Sequence, residues 1–177
     1  MTKQMVITAI LGLITIAVAF RWNRRLFTAG GPAGRVTLLE GIYYVAGLAS
    51  LGAGWYFNYR YTHTYHDASY INYTKALFTN WADDSAAQDY IIVNVLLFPL
   101  WSIIDGRRRD MRVAWIFFIM SLFTSLAFSV ALFLAFMERQ IRFNKASAAG
   151  VKDGVAAVVA RNESDAGTAV TSGAAEI

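Results

Sequence analysis

The sequence contains no cysteine, only two prolines and few charged residues for its length. Without cysteine, the 177-residue chain has neither disulfides nor thiolate metal sites. Charged residues make up 16% and hydrophobic residues 56%, whereas soluble domains average about 25% and about 45–50%. A chain of this size cannot bury so much apolar surface in one core. The composition therefore excludes a disulfide-rich, collagenous or disordered chain and an ordinary soluble enzyme, and it indicates a membrane protein.

Four apolar segments predict an all-α, polytopic membrane protein with four transmembrane helices. The segments lack the alternation with a period of two residues that a membrane β-barrel strand needs. The longest segment, residues 113–137, carries no charge, and an isolated run of bilayer length is typical of a transmembrane helix. Together the segments predict one membrane domain over residues 1–145. The predicted spans are residues 5–20, 36–57, 87–104 and 113–137.

Composition also assigns the segments between and after the spans. Tyrosines and a tryptophan recur at helical spacing after Asp67, which predicts a short helix over residues 67–81 in the outer membrane interface. Ser85 and Gln88 have the spacing of a capping box, which predicts the start of the third span. Residues 146–177 have no aromatic side chain to bury and are predicted to form a tail that is flexible or ordered only by a partner.

Two basic loops set the predicted orientation. Eight of the sixteen basic residues lie in two short stretches, and each stretch joins two apolar segments. Cytoplasmic loops carry an excess of arginine and lysine, so both stretches are predicted to face the cytoplasm of a bacterial inner membrane. With four spans, both termini would lie outside, together with Arg139, Arg142 and Lys145, whose charge opposes this assignment. The loop between the third and fourth spans contributes Arg107, Arg108, Arg109 and Arg112.

Three residues within the predicted spans form a candidate intramembrane polar site. Polar groups are costly inside a bilayer, which makes Glu40, Asn94 and Pro99 candidates for function. Glu40 is interpreted first as a boundary carboxylate paired with Arg35 or Arg25, and secondly as a proton or cation carrier. Asn94 and Pro99 are interpreted first as an interhelical hydrogen bond beside a kink, and secondly as a polar notch for a ligand.

Small residues in the second span predict a helix-packing seam. Ala46, Ser50 and Gly54 recur every four residues, and Ala49 and Ala53 form an adjacent row. Such rows let another helix approach closely, which is how membrane helices gain van der Waals contact. The partner is either the fourth span of the same chain or another subunit.

No arrangement of residues predicts catalysis or a bound metal. His63 and His66 are the two histidines, and they would share one face of a helix near the outer interface. Either could ligate zinc, haem or a chlorophyll magnesium, but histidines that hydrogen-bond lipid headgroups are the commoner case. The glycine-rich stretch 30–34 lacks the lysine and hydroxyl residue of a phosphate loop. The sequence therefore predicts no enzyme activity, no metal and no cofactor.

The third and fourth predicted spans resemble part of a known family. The resemblance is carried by Asp89 at a span start, the hairpin Asp105-Gly106-Arg107-Arg108-Arg109-x-Met111-Arg112-x-x-Trp115, and Glu138-Arg139 after a Leu/Phe-rich run. Over residues 74–142 the chain is similar to a family of small bacterial integral membrane proteins of unknown function. The resemblance implies a multi-helix membrane protein and supplies no activity and no catalytic or binding residues.

These observations lead to two functional hypotheses. The first is a non-catalytic accessory or stabilising subunit of a larger membrane complex. A cell-envelope lipid-transport assembly is the first candidate complex, and respiratory or photosynthetic complexes are the second. The alternative is a small transporter or a ligand- or cofactor-binding membrane protein. Membrane lipids and other integral subunits are the expected partners. Nucleic acid is not expected, because the net charge of +4 comes without a nucleic-acid motif.

Overall fold

Helices and the turns that join them form the described part of the chain. The computed structural model describes residues 3–28, 31–65 and 69–173, and no β-strand occurs within these ranges. The α-helices are α1 (Lys3–Trp22), α2 (Leu38–Tyr65), α3 (Tyr70–Ala76), α4 (Trp81–Ile92), α5 (Phe98–Arg108), α6 (Ile116–Phe123) and α7 (Leu126–Gly173). A 3₁₀ turn at Arg24–Phe27 follows α1, and a π-helical turn at Val93–Leu97 joins α4 to α5. The predicted all-α class is confirmed for these residues.

Two helices in the described ranges are long and apolar enough to span a membrane. They are Met5–Trp22 and the 28-residue unit Trp81–Arg108, which combines α4, the π turn and α5. Both agree with predicted spans, at 5–20 and 87–104. The predicted span 36–57 lies largely within α2. This helix is less apolar than the other two, because it contains several glycines and tyrosines and the carboxylate of Glu40.

The fourth predicted span consists of two helices that fold back on each other. Residues 113–137 begin in a turn, form α6, and reverse direction at Thr124 before α7 starts. The ring of Phe117 lies 5.5 Å from that of Phe133 and 5.2 Å from that of Phe136. In one continuous helix these residues would be about 24–29 Å apart along the axis. The prediction of a single crossing over 113–137 is therefore wrong, and the segment forms an α6–α7 hairpin.

Hydroxyl side chains stabilise the reversal between α6 and α7. The Thr124 backbone leaves the helical region, with φ −116° and ψ −99°. Thr124 Oγ1 donates to the Met120 carbonyl at 2.7 Å, and Ser125 Oγ accepts from the Phe128 N–H at 3.1 Å. Gly12 of α1 packs against this turn, where a β-carbon would lie 2.9 Å from Thr124 Cγ2. Serine and threonine favour helix ends because their side chains satisfy free backbone groups, so this pair can break an apolar helix.

The hairpin determines which ends of the helices meet. Because the chain reverses, α7 returns to the two basic loops, and Arg139 contacts Glu40 at the start of α2. We call the assembly of residues 21–28, 31–40, 105–115 and 138–145 the basic end, and the opposite end of the bundle the distal end. α1 starts at the distal end and α7 leaves from the basic end. This arrangement differs from the four-span prediction, in which the first span would start on the same side of the membrane as the segment after residue 137.

α7 continues into the segment that the sequence predicts to be a flexible tail. It runs from Leu126 to Gly173 as a single 48-residue helix, so the tail prediction is wrong as far as residue 173. The segment is rich in alanine, which has the highest intrinsic helix propensity, and no proline stops the helix. Residues 145–159 are exposed, with 66% of Val151 accessible. This part of α7 therefore projects from the basic end.

Asn80 starts the helix that contains the third predicted span. Its side-chain oxygen accepts hydrogen bonds from the N–H groups of Ala82 and Asp83 at 3.0 and 3.1 Å. A carboxylate oxygen of Asp83 accepts in turn from the Asn80 amide at 2.6 Å. The predicted capping box of Ser85 and Gln88 is therefore wrong, because both residues lie inside α4.

The predicted interfacial helix is shorter than residues 67–81. Its observed counterpart, α3, has seven residues, and its N-cap is Ser69, whose hydroxyl accepts from the Asn72 N–H at 3.5 Å. The predicted cap, Asp67, lies outside the described residues. The chain leaves the helix after Leu77 and is extended at Asn80, where α4 begins, so the predicted helix is divided between α3 and the start of α4.

The apolar core lies between α1, α5, α6 and α7. Its largest members, Phe98, Phe117, Met120, Phe133 and Phe136, are at most 2% exposed. The rings of Phe117, Phe133 and Phe98 meet edge to face, the arrangement that aromatic quadrupoles favour. The Leu/Phe-rich segment therefore covers much of its own apolar surface by folding into a hairpin.

Candidate functional site

Small residues of α2 let α7 approach closely. A β-carbon on Gly47 would lie 3.3 Å from Ala131 Cβ, and the hydroxyl oxygens of Ser50 and Ser125 are 3.1 Å apart. A β-carbon on Gly54 would also reach contact distance of the hairpin turn. Ser50 and Gly54 of the predicted seam therefore pack against Ser125, in the hairpin turn just before α7 of the same chain. The other predicted seam residues are exposed: Ala46, Ala49 and Ala53.

Glu40 is fully buried and binds two arginines of α7. Glu40 Oε1 accepts hydrogen bonds from Arg139 Nε and from the Tyr44 hydroxyl, each at 3.0 Å. Glu40 Oε2 accepts from Arg142 Nη2. The side chain of Arg139 is 7% accessible, so this pair is shielded from water. A buried carboxylate satisfied by three donors holds α2 against α7 at the basic end.

The same two arginines fix the loop between α1 and α2. Arg139 donates to the carbonyls of Leu26 and Gly34 at 3.3 and 3.2 Å. Its guanidinium also lies 4.7 Å from the centre of the Phe27 ring, within the range of a cation–π contact. Arg142 donates to two carbonyls of the same loop, those of Ala33 and, at 2.7 Å, of Arg35. The cluster is therefore a structural clamp in which each charge has a partner.

The predicted partners of Glu40 are wrong. Arg35 takes part in the cluster through its backbone carbonyl, and Arg25 donates to the Asp110 carbonyl at 2.6 Å. Burial lowers the pKa of the Arg25 guanidinium, the charge of Arg112 lowers it further, and Asp110 opposes the shift. The reason for the error is topological, because a single crossing over 113–137 would carry the α7 arginines to the other end of the bundle.

Asn94 lies in the π-helical turn and is 5% exposed. Its side-chain oxygen accepts from the Ser121 hydroxyl at 2.6 Å, and its amide donates to the Tyr90 hydroxyl at 3.4 Å. Pro99 has no N–H, and the N–H of the residue before it bonds the Val93 carbonyl five positions back. The α4–α5 unit and α6 are thus joined by a buried hydrogen bond at a helix irregularity of the kind often found at functional sites.

A cavity of about 1030 Å³ lies in the distal half of the bundle, above the hairpin tip. Its walls come from α1, α2, α3 and α4, and its floor comes from the hairpin around Thr124. Asn94 and Ser121 both contribute to its lining. Glu40 and Pro99 do not, so the three residues of the predicted polar site lie in different places and Asn94 alone lines the cavity.

The cavity lining is aromatic and rich in hydroxyl and amide groups. Tyr61, Tyr73 and Tyr90 contribute phenol rings, and Asp83 is the one charged side chain among the described lining residues. Ligand sites are typically concave and mostly apolar, with a few placed polar groups, and this lining has that character. These groups can bind a molecule and fix its orientation.

The histidines lie apart from this lining. His63 is exposed, with its ring 5.8 Å from that of Tyr59, and it does not line the cavity. His66 lies outside the described residues. Within the ranges that the structure describes, no group of three His, Asp or Glu side chains could hold a metal ion.

Asn23 is a structural residue that the sequence analysis missed. It is fully buried, and its amide donates to the carbonyls of Ala19 and Arg112 at 3.0 and 2.9 Å. Its oxygen accepts from the Arg112 N–H at 3.2 Å, next to Val113, whose φ of +49° is unusual for a β-branched residue. The sequence feature that could have indicated its role is an uncharged amide among arginines, directly after an apolar helix.

Replacing Asn23 with alanine is expected to destabilise the protein by about 1–3 kcal/mol, because the Arg112 backbone groups lose their buried partners. The measurement is the free energy of unfolding of the purified protein in mixed detergent micelles. Arg24→Ala, a change at an exposed neighbour, serves as the control and should stay within about 0.5 kcal/mol of wild type. Equal stability of the Asn23→Ala protein and the wild type would contradict the role assigned to this side chain.

Comparison with known proteins gives one family match. Residues 42–139 match the family described as "Protein of unknown function DUF2834". The matched region includes the α2–α7 seam, the cavity floor and Arg139. No curated protein and no solved structure matches the chain.

Proposed function

We propose that this chain, which belongs to that family of unknown function, is an integral membrane protein that binds a small molecule in its distal cavity. The observation that carries the proposal is a cavity of about 1030 Å³ whose floor is a helical hairpin with hydroxyl side chains and whose wall carries the Asn94 amide. The proposal develops the alternative hypothesis from the sequence. Asn94 remains in the site, whereas Glu40 and Pro99 do not line it.

The membrane placement follows from the distribution of charge and apolar surface. α1, α2 and the α4–α5 unit each extend from one end of the bundle to the other and would cross the bilayer. The hairpin enters from the basic end and turns back inside. Arg139, Arg142 and Lys145 then lie at the same end as the other arginines, so the positive-inside rule favours a cytoplasmic basic end. In the four-span arrangement these three residues would lie on the outer side and oppose that orientation. The distal cavity would face the outer side.

The hairpin turn supports a water-accessible cavity. Non-helical backbone at membrane depth is tolerated where it is buried in protein or lines a water-filled space. Thr124 and Ser125 break the helix and both line the cavity, so water there would satisfy backbone groups that lipid could not. A binding site of this kind needs no nucleophile or metal.

Single-cysteine labelling tests this proposal, because the chain has no cysteine of its own. Ala127 is exposed in the cavity floor, so a membrane-impermeant charged thiol reagent applied to spheroplasts should label Ala127→Cys. The matched control is Ala135→Cys in the same helix, which is fully buried and should stay unlabelled. Ala148→Cys in the projecting part of α7 should be labelled after lysis only.

The three sites separate the two parts of the proposal. An Ala127 thiol as unreactive as the Ala135 thiol, both in spheroplasts and after lysis, would overturn the water-accessible cavity. Labelling of Ala148→Cys in intact spheroplasts would overturn the orientation.

A second candidate function is the accessory subunit of a larger membrane complex. The outward face of α2 favours it, because Ala46, Ala49 and Ala53 are exposed and a β-carbon on Gly52 would meet nothing within 4 Å. Small residues of this kind suit close helix packing with another subunit, such as one of a cell-envelope lipid-transport assembly. Migration as a lone monomer after extraction in mild detergent would count against this function.

A further inference from the structure

We infer that the distal cavity selects organic cations that carry a bulky apolar group. This inference rests on the proposed binding function and names the chemical class of the ligand. It follows from the charges, the aromatic rings and the apolar surface that the cavity presents together.

The charge of the described lining favours a cation. Asp83 is its one charged side chain, and its carboxylate accepts hydrogen bonds from Thr79 and Asn80, each at 2.6 Å, which hold it in place. Arg60 is on a wall helix but directs its guanidinium to the Tyr56 hydroxyl, 3.1 Å away, and does not line the cavity. An anion would therefore meet a carboxylate and no arginine or lysine among the described lining residues.

The aromatic rings supply the recognition of positive charge. Tyr61 and Tyr73 both line the cavity, and their rings meet edge to face at 5.1 Å. Tyr90 and Trp55 add two further rings to the lining. Aromatic faces attract cations through the ring quadrupole, and clusters of such rings recognise quaternary ammonium groups. Tyrosine rings and a single carboxylate in the same described lining thus favour a weakly hydrated organic cation.

The rest of the lining favours an apolar body on that cation. Leu77, Ile91, Leu126 and Val130 line the cavity together with several alanines. A volume of about 1030 Å³ is at the upper end of small-molecule pockets, which span about 300–1000 Å³. The cavity can therefore accommodate a cation with several hydrocarbon or aryl groups.

Tetraphenylphosphonium and tetraphenylborate provide a matched test, since they share size and shape and differ in the sign of their charge. The full chain is reconstituted in nanodiscs of zwitterionic lipid, and empty nanodiscs correct for partition into lipid. Binding is measured by equilibrium dialysis. Tetraphenylphosphonium should bind saturably and protect Ala127→Cys from labelling, and tetraphenylborate should do neither.

Single substitutions test which side chains contribute to cation binding. Tyr61→Ala should weaken tetraphenylphosphonium binding about tenfold, the loss of one desolvated cation–π contact, whereas Tyr61→Phe keeps the ring and should bind like wild type. Asp83→Asn should weaken binding of the cation and leave protein abundance unchanged. Tyr59→Ala removes an exposed tyrosine of the same helix that does not line the cavity, and it should have no effect.

The outcomes distinguish this inference from the proposed function. Equal affinity for both ions would overturn the selection of cations, as would unchanged binding by Tyr61→Ala. If Ala127→Cys is labelled normally in either case, the proposed binding cavity is retained. An unreactive Ala127 thiol together with no binding of either ion would overturn both.

Discussion

Replacing Glu40 with alanine is expected to destabilise the protein by about 3–5 kcal/mol, because it leaves two arginines without their buried counter-charge. Glu40 is fully buried, and its carboxylate binds Arg139 and Arg142 together with the Tyr44 hydroxyl. Since Arg139 also holds the loop between α1 and α2, the loss should loosen three elements at once. The measurement is the free energy of unfolding in mixed micelles, supported by protein abundance in membranes.

Glu138→Ala is the matched control for this substitution. Glu138 also pairs with Arg142, at 3.7 Å, but its side chain is 28% accessible and the pair lies within one helix. Such partly exposed pairs contribute about 0–1 kcal/mol. Similar losses for Glu40→Ala and Glu138→Ala would contradict the clamp at the basic end, as would a Glu40→Ala protein of wild-type stability.

Replacing Gly106 with alanine is expected to cost about 1–3 kcal/mol through overpacking. A β-carbon on Gly106 would lie 2.3 Å from Ala114 Cβ, and neither a helix backbone nor an alanine can move aside cheaply. The Gly106 carbonyl accepts from the Met111 N–H at 2.8 Å, so the α5–α6 turn is fixed at this point. The absence of a side chain at Gly106 therefore lets the connection between α5 and α6 pack directly against α5.

Two companion variants make the result specific. Adding Ala114→Gly to Gly106→Ala removes the clashing methyl group and should recover most of the lost stability. Gly52→Ala places the same methyl group where nothing lies within 4 Å, and it should be neutral or stabilising by about 0.4–1 kcal/mol. A loss in Gly52→Ala equal to that in Gly106→Ala, or no recovery in the double variant, would contradict the close approach.

The hairpin could not be read from the apolar pattern. Residues 113–137 satisfy the length and composition of one crossing, and period and hydropathy do not distinguish a helix that continues from one that turns back. The signal was the adjacent pair Thr124 and Ser125, hydroxyl residues that often end or start helices. The apolar surface decides the outcome, because Phe117 gains burial against Phe133 and Phe136 when the chain reverses.

One topological error explains several others. Placing the end of the segment 113–137 on the outer side separated Arg139 and Arg142 from Glu40, which directed the predicted pairing to Arg25 and Arg35. It also placed the start of the first span and the segment after residue 137 on one side. The basic residues after Met137 had opposed that assignment, and their charge was the correct signal. Charge distribution was therefore a better guide than the number of apolar segments.

The tail shows a different kind of error. Low complexity and the lack of aromatic residues suggested a segment without regular structure, because such a segment has no core to bury. Helix formation depends on local hydrogen bonds and propensity as well as burial. An alanine-rich segment that follows a stable helix extends that helix and avoids the cost of nucleating a new one. α7 therefore extends beyond the part that packs on the bundle.

The sequence by itself determined the all-helical class, the two helices apolar enough to span a membrane and the concentration of arginines in two short loops. These properties follow from composition and local order along the chain. Only the tertiary structure decided that α6 and α7 fold back, that Glu40 meets Arg139 and Arg142, and that Asn94 lines a cavity closed from below by Ser121 and Thr124. Each of these depends on contacts between distant segments, and such contacts are chosen by packing and charge pairing in three dimensions.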